Sequence, residues 1–404
     1  MTHERLPSTA GPRCLGVGSY AVNVVARRTP THGPRPVAEL PVTSGNFTRV
    51  VDSISSGQFT MPLTIGCAEA LDKVQPLRHE VEVWRNNDLV WCGPIIDLSV
   101  DEDANTASVS CNDLAYWFNL RVFRHTMEPR DIDIAEIFQG YCDYALGRGL
   151  PEWGTFFPGD PPTGRVLADG KIRPPRPTDP PLYEDDFGLK VEVSPVGVTG
   201  DRTVYKGDLK VVYSELEELA QTGVDFTVVN RTMMVGGGEV TDDAGATIIL
   251  PGRFTDESFD QASRLRRTAE GMATEVLTRG NGVRSRVGGP DSRDGIEVTR
   301  VLDEYSIEDQ ASADAAAQSY FDRGKNPLDY VEGAGALTRS SPVQFQQLIP
   351  GARVRVLFEG SGITLDGGMR LDSLSVSWDE NGEQVTPTFQ PLGTAGADAR
   401  GQGG

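Results

Sequence analysis

The residues of this 404-residue chain best suited to hold a metal or move a proton are His3, His32, His79 and His125. None has a second ligand at helical or turn spacing. His79-Glu80 opens an alternating run, not the helical H-E-x-x-H of a zinc hydrolase. Cys14, Cys67, Cys92, Cys111 and Cys142 are odd in number, widely spaced and lack C-x-x-C, which predicts buried free thiols in a chain made in a reducing cytosol. Asp101, Asp103 and Asn105 have the spacing of the first half of a calcium loop. Thr106 stands where that loop turns on glycine, and Asn112 where its bidentate glutamate belongs, so a solvated turn is expected. With 58 acidic residues, composition alone leaves a glycosidase pair open. Glu215, Glu217 and Glu218 fall on the polar face of a periodic helix, however, and are expected to be exposed. There is no G-x-S-x-G, Walker sequence or G-x-G-x-x-G, and "RGNGVRSRVGG" does not lead into a helix that would cradle phosphate. The expectation is no catalytic residue, no metal and no cofactor.

Aromatic residues offer the other chemistry, that of binding. In "VEVWRNNDLVWCGPI" (Val81 to Ile95) two alternating runs meet at Asn86-Asn87-Asp88, a hairpin with a tryptophan on each arm. Trp84 shares a face with Glu80 and Glu82, opposite Val81 and Val83, so it is expected to cover an edge or interface while the valines face the core. Trp91 alternates with Leu89 and Gly93, as a packing residue would. Trp153, Phe156 and Phe157 could dock the segment they begin onto a neighbour. Trp84, Trp153, Phe156 and Phe157 are therefore the candidate interaction surface, with structural packing and a glycan-stacking platform as the two readings.

The elements that must position these residues change along the chain. Its 45 glycines and 27 prolines favour many turns and short strands, and its length suits two to four domains. Residues 1–122 read as strands with tight turns, a small antiparallel barrel or sandwich. Ile134, Phe138, Tyr141 and Ala145 then follow a helical period. A second helix runs from Leu209 through Val212, Tyr213, Leu216 and Leu219, with Asp208 as its expected cap. "VDFTVVNRTMMVGG" reads as a hairpin turning at Asn230-Arg231. Residues 151–200 carry ten prolines and are expected to be an extended surface loop. Ser306 and Asp309 fit a capping box for a third helix with Ala313, Ala316, Ala317, Tyr320 and Phe321 as its stripe. A closing meander turns at Asn381-Gly382. A net charge of −20 argues against duplex binding, though not against a surface that DNA passes without sticking. No apolar run suits a signal peptide or a membrane span.

The order of "EVEVWRNNDLVWCGPI", "SCNDLAYWFNLRVF", "ATEVLTRGNG", "SIEDQASADAAAQSYF" and "SSPVQFQQLIPGARVRV" resembles that of the baseplate-hub or tail-tip proteins of long-tailed bacteriophages, specifically minor tail proteins of phages of actinobacteria. The resemblance spans most of residues 15–392. It implies a β-rich α+β fold: two small antiparallel β-barrel-like domains with α+β domains, phage tail-hub architecture. The divisions would be 1–122 as the N-terminal hub domain, 123–225 as an α+β domain with the Pro-rich insertion 151–200, 226–392 as an α+β segment and second hub domain, and 393–404 as a tail. It further implies a homotrimeric ring continuing the tail tube, with the distal tail protein, the tape measure protein and other minor tail proteins as partners. DNA would pass through the lumen without specific binding. The place would be the virion tail tip, assembled in the host cytoplasm. The rival expectations are a carbohydrate-binding adhesin and a cell-wall-degrading tail enzyme.

Overall fold

A computed structural model describes residues 15, 18–27, 35–155, 187–237, 247–249, 264–269, 272–289, 297–303, 307, 309–324, 328–332, 335–337, 341, 343–359 and 364–391. The strands used below are β1 (Tyr20–Ala26), β2 (Arg35–Leu40), β3 (Ser44–Val50), β4 (Ser56–Pro62), β5 (His79–Arg85), β6 (Asp88–Asp101) and β7 (Thr106–Asn112). After them come β8 (Lys190–Val193), β9 (Asp225–Val229), β10 (Thr232–Gly236), β11 (Thr247–Ile249), β12 (Arg264–Thr268), β13 (Glu275–Arg279), β14 (Arg284–Gly288) and β15 (Thr299–Asp303). The last are β16 (Leu328–Glu332), β17 (Arg353–Glu359), β18 (Thr364–Asp379) and β19 (Gly382–Pro391).

One eleven-stranded sheet runs β11-β17-β18-β3-β4-β7-β6-β5-β1-β2, with β19 paired to β18. Its two long strands make the path continuous. β6 pairs with β5 through its first half and with β7 through its second, changing register between Ile95 and Asp97. β18 pairs with β17 and then with β3, where Ser375 opposes Thr48. Strands from the two ends of the chain thus share one sheet and one core, in which Phe47, Phe59, Val83, Trp91, Val354 and Val376 are buried together. The fold is β-rich with few helices, and no sheet among the described residues closes into a barrel. The β5–β6 turn is the expected one: Asn86 and Asn87 take φ of 49° and 70°, which asparagine tolerates. The closing hairpin turns one residue earlier than expected, at Glu380-Asn381, with Gly382 opposing Asp379 at φ 123°.

A second layer holds α2 (Tyr116–Asn119), α3 (Ile134–Ala145), α4 (Val212–Gln221) and the three-stranded sheet β8-β10-β9, all after a short first helix α1 (Ile65–Leu71). Asp133 caps α3 through Ala135 N, and Ile134, Phe138, Tyr141 and Ala145 are all buried as the period predicts. α4 differs from expectation. It starts at Val212, because Leu209 is left-handed (φ 47°) and Val211 is drawn into a bridge with Val122. Asp208 belongs to the preceding turn and caps nothing there. Glu215 is not exposed: segment 202–210 folds over the helix, and Glu215 is buried between Lys210 (2.5 Å) and Arg202 (3.7 Å). Glu217 is exposed and Glu218 half-buried.

A third unit packs α5 (Gln310–Gly324) on β14-β13-β15, with Ala313 and Ala317 wholly buried. Its cap is Asp309 itself, which accepts from Ser312 N at 2.8 Å; Ser306 lies outside the described residues. Of the Pro-rich stretch, residues 156–186 lie outside the described residues. Its far end forms β8, an edge strand parallel to β10.

Candidate interaction surfaces

Of the aromatic candidates, Trp84 belongs to the large sheet and Trp153 to the second layer. Trp84 is half-buried on β5 beside a bulge at Val83/Trp84, opposite Ala21 and Leu89, and its buried indole Nε1 has no hydrogen-bond partner among the described residues. Trp153 is half-buried against the second layer, edge-on to Tyr141 at 5.6 Å and directly over Gly140. Its carbonyl accepts from Glu128 N. Phe156 and Phe157 lie outside the described residues. The start of the Pro-rich stretch is therefore fastened to α3, and its end is fastened too. Phe187 stacks on Trp117 at 4.4 Å, with the Arg27 and Arg121 guanidinium groups at 5.6 and 5.3 Å from its ring. Trp91 is core, as expected.

Sequence reasoning missed the charged groups that join the layers. Glu80 and Glu82 sit on the face of β5 opposite the valines, yet both are buried, because the β9–β10 hairpin lies across them. Arg231, in the turn of that hairpin, donates from Nη2 to Glu80 Oε2 (2.6 Å) and Glu82 Oε1 (3.1 Å), and from Nη1 to the Phe187 carbonyl (3.0 Å). At the start of β9, Asp225 accepts from Arg370 Nη1 of β18 at 2.6 Å. Between the two clamps, Asp52 N–H donates to the Phe226 carbonyl and Asp52 Oδ1 accepts from Phe226 N–H, each at 2.8 Å, and Thr227 Oγ1 donates to Val50 O. Burial, then the charge and hydrogen bond of Asp225, hold the Asp52 carboxyl well above its usual range.

A third buried cluster lies inside the large sheet. Arg85 makes a two-pronged pair with Glu383 (2.6 and 2.9 Å), Tyr20 hydroxyl donates to the same carboxylate, and the Tyr20 ring stacks on Trp378 at 4.1 Å. Phe345 carries Arg85 at 4.7 Å and Arg49 at 5.2 Å. Arg49 is held by the carbonyls of Val90 and Leu348, and burial pulls its pKa down to about 10. Burial likewise pushes the Cys92 thiol up to about 12, and Cys67, Cys92, Cys111 and Cys142 are all free and buried, as expected. These carboxylates are committed to structural pairs. Asp101 is spent similarly, accepting from Ala104 N in an exposed turn. Among the described residues no group of three His, Cys, Asp or Glu could hold a metal, and no helix is long and apolar enough to cross a membrane.

A cleft of about 40 Å³ lies between α3–α4 and α5, bordered by Ile134, Val198, Leu219, Ile307 and Ser312, room for about one water.

The arrangement of sheet and layers is shared with solved tail proteins. The 43 kDa tail protein of prophage MuSo2 from Shewanella oneidensis matches with a TM-score of 0.56 at 14% identity, covering 93% of this chain and 99% of that one. The tail protein from Neisseria meningitidis MC58 gives 0.54 at 14% identity, over 94% of this chain and 99% of that one. The Francisella PdpA-VgrG complex contains a chain matching at 0.50 and 8% identity, over 95% of this chain but 54% of that one. No family model and no curated protein matches the sequence. At these identities the likeness is one of fold: this chain has the fold of phage tail proteins.

Proposed function

We propose that this chain is a non-enzymatic structural protein of a phage virion, a hub at the tail tip. The observation that carries the reading is the fold agreement over nearly the whole length of two tail proteins, 99% of each. In this reading three copies close a ring that continues the tail tube, with the two β portions of the shared sheet (from 1–122 and from 226–392) toward the tube and the α+β layers outside. The ring meets the distal tail protein, the tape measure protein and other minor tail proteins, and DNA passes through it during ejection. Riveting of layers by buried ion pairs supports the reading, since a load-transmitting ring needs its layers held in one arrangement. The half-buried, separated Trp84 and Trp153 argue for scaffold over a glycan platform. The test is native mass with negative-stain imaging of the full chain. A threefold ring with an axial channel is expected; a compact monomer, or wall-lysing activity, would overturn the reading.

A further inference from the structure

The turn between β3 and β4 is short, and its residues are spent on the second layer. Val51 bridges Thr227 of β9, and its N–H donates to the Asp372 carbonyl of β18 at 3.1 Å. Asp52 brings both its backbone and its carboxyl to Phe226, in the pair of 2.8 Å hydrogen bonds described above. The Ser53 side chain and the Ile54 backbone hydrogen-bond to the Tyr213 hydroxyl of α4, and the Ile54 side chain packs on the second layer's core. Ser55 N–H donates to Asp113 Oδ2 at 2.8 Å, while Asp113 Oδ1 accepts from Ala115 N at 3.0 Å where α2 begins. Residues 51–55 thus form a tongue that leaves the sheet and seats in the other layer. The two layers keep separate cores, one through Phe47, Phe59 and Trp91, the other through Phe138, Leu216 and Phe226.

Charge at this seat does not balance. On the β9 side, Arg370 faces Asp225 at 2.6 Å and Asp372 at 4.0 Å, and the Asp52 carboxyl hydrogen-bonds to that of Asp225. Two carboxyl groups share a hydrogen bond only when one of them carries a proton. On the α2 side, Asp113 is 1% exposed, its partners are Ser55 and Ala115, and among the described residues no lysine or arginine pairs with it. The other groups around the seat do not supply a cation. α4 brings Tyr213 and the exposed Glu217. Arg231, next along the seam, is already set between Glu80 and Glu82, beside the Cys92 thiol. Arg49, on β3 just before the turn, is held by the Val90 and Leu348 carbonyls.

Along the whole seam, two guanidinium groups, Arg231 and Arg370, stand among six carboxyl groups: Glu80, Glu82, Asp52, Asp113, Asp225 and Asp372. Fully ionised, the seam would hold a surplus of negative charge away from water, which is costly. Protons on the two carboxyls not paired to a guanidinium remove that cost. Burial pushes Asp113 up to about 7, and burial with the neighbouring Asp225 raises Asp52 well above the ordinary aspartate range.

We propose that the tongue Val51–Ser55 is a proton-held latch between the large sheet and the second layer. With Asp52 and Asp113 carrying protons, it stays seated. When both give their protons to water it withdraws, and the second layer is released at this end of the seam while each core stays folded. The Arg231 clamp, whose hydrogen bonds do not involve the tongue, remains as the hinge. The latch works within one chain and stands whether or not copies of that chain form a ring. Both groups hold a proton more tightly in the seat than in water, so the seat weakens as pH rises from about 4, and for Asp113 the loss is complete above about pH 7. Within that window each proton released raises the opening equilibrium by up to about tenfold per pH unit.

The test is hydrogen exchange, read by mass spectrometry, on the full-length protein at pH 5 and pH 8, with each rate divided by that of the unstructured peptide. Peptides over residues 50–56 and 224–229 report on the seat, and peptides over β1 and α3 on the two cores. From pH 5 to pH 8 the seat peptides should lose protection by about tenfold or more relative to the cores. Asp52→Asn should reduce that fall by about threefold or more, and Asp52→Asn with Asp113→Asn should abolish it. Where the double variant fails to fold, shown by lost protection in β1 and α3 at pH 5, the single variant decides. A seat whose protection does not change with pH overturns the proposal. So does a seat that loses protection in step with both cores, which is global unfolding, and so does a single variant that keeps the wild-type fall.

Discussion

Replacing Arg231 by methionine tests the physics of the joint between the sheet and the second layer. The substitution keeps most of the side-chain volume and removes a cation that neutralises Glu80, 0% exposed, and Glu82, 6% exposed. Breaking a buried pair by deleting one partner costs about 3–5 kcal/mol. The loss has a ceiling, because each stranded carboxylate can take a proton: from an ordinary glutamate value near 4.3, protonation at pH 7 costs about 3.7 kcal/mol for each of the two. The expected loss at pH 7 is therefore about 3–5 kcal/mol, read as a fall in the urea midpoint by tryptophan fluorescence. Its pH dependence follows with a definite sign. In the variant the glutamate pKa values rise in the folded state, so the folded chain binds more protons than the unfolded one and stability falls as pH rises from about 4. At pH 5 the loss should shrink to about 1–2 kcal/mol. Adding Glu80→Gln and Glu82→Gln to Arg231→Met should recover most of it at pH 7. A loss under about 1 kcal/mol at pH 7, an equal loss at pH 5, or no recovery in the triple variant would refute the account of this cluster as a charge-balanced clamp.

Three further outcomes are expected. Asp52→Asn keeps the acceptor for Phe226 N and suits the φ of 56° at that position; because the wild-type carboxyl is held above its usual range, its own contribution to stability declines as pH rises above about 4, so the variant should gain on wild type between pH 4 and 8 in thermal melts. A difference independent of pH would contradict this. Leu209→Gly should stabilise by about 0.5–1 kcal/mol, since Leu209 is left-handed at φ 47° and 62% exposed; chemical denaturation showing destabilisation would mean its side chain has a hidden contact. Gly140→Ala would set a methyl 2.4 Å from the Trp153 ring, so the indole must leave α3, with a red-shifted emission and a cost of about 1–3 kcal/mol; an unshifted spectrum would mean that Trp153 is not docked there.

Local patterns were legible where local forces decide. The Asn86-Asn87 turn, the buried stripe of α3, the hairpin at Asn230-Arg231 and the burial of the thiols follow from φ preference and apolar period. Polar side chains were not legible where distant chain covers them. Glu80 and Glu82 alternate with core valines, which in a half-buried strand means solvent; Arg231, about 150 residues on, makes that second face an interior. Glu215, expected to be exposed, has the same history with Arg202 and Lys210, while the pattern offered Trp153 as a docking residue without showing that α3 is the neighbour it meets.

What the sequence by itself determined is which residues alternate, cap and turn, because those follow from dihedral preference and burial within a dozen residues. Only the tertiary structure decided that β3 pairs with β18 and so joins the two ends of the chain in one sheet. Register between strands hundreds of residues apart is set by the shared core and the long bent strands β6 and β18, and no single strand carries that information.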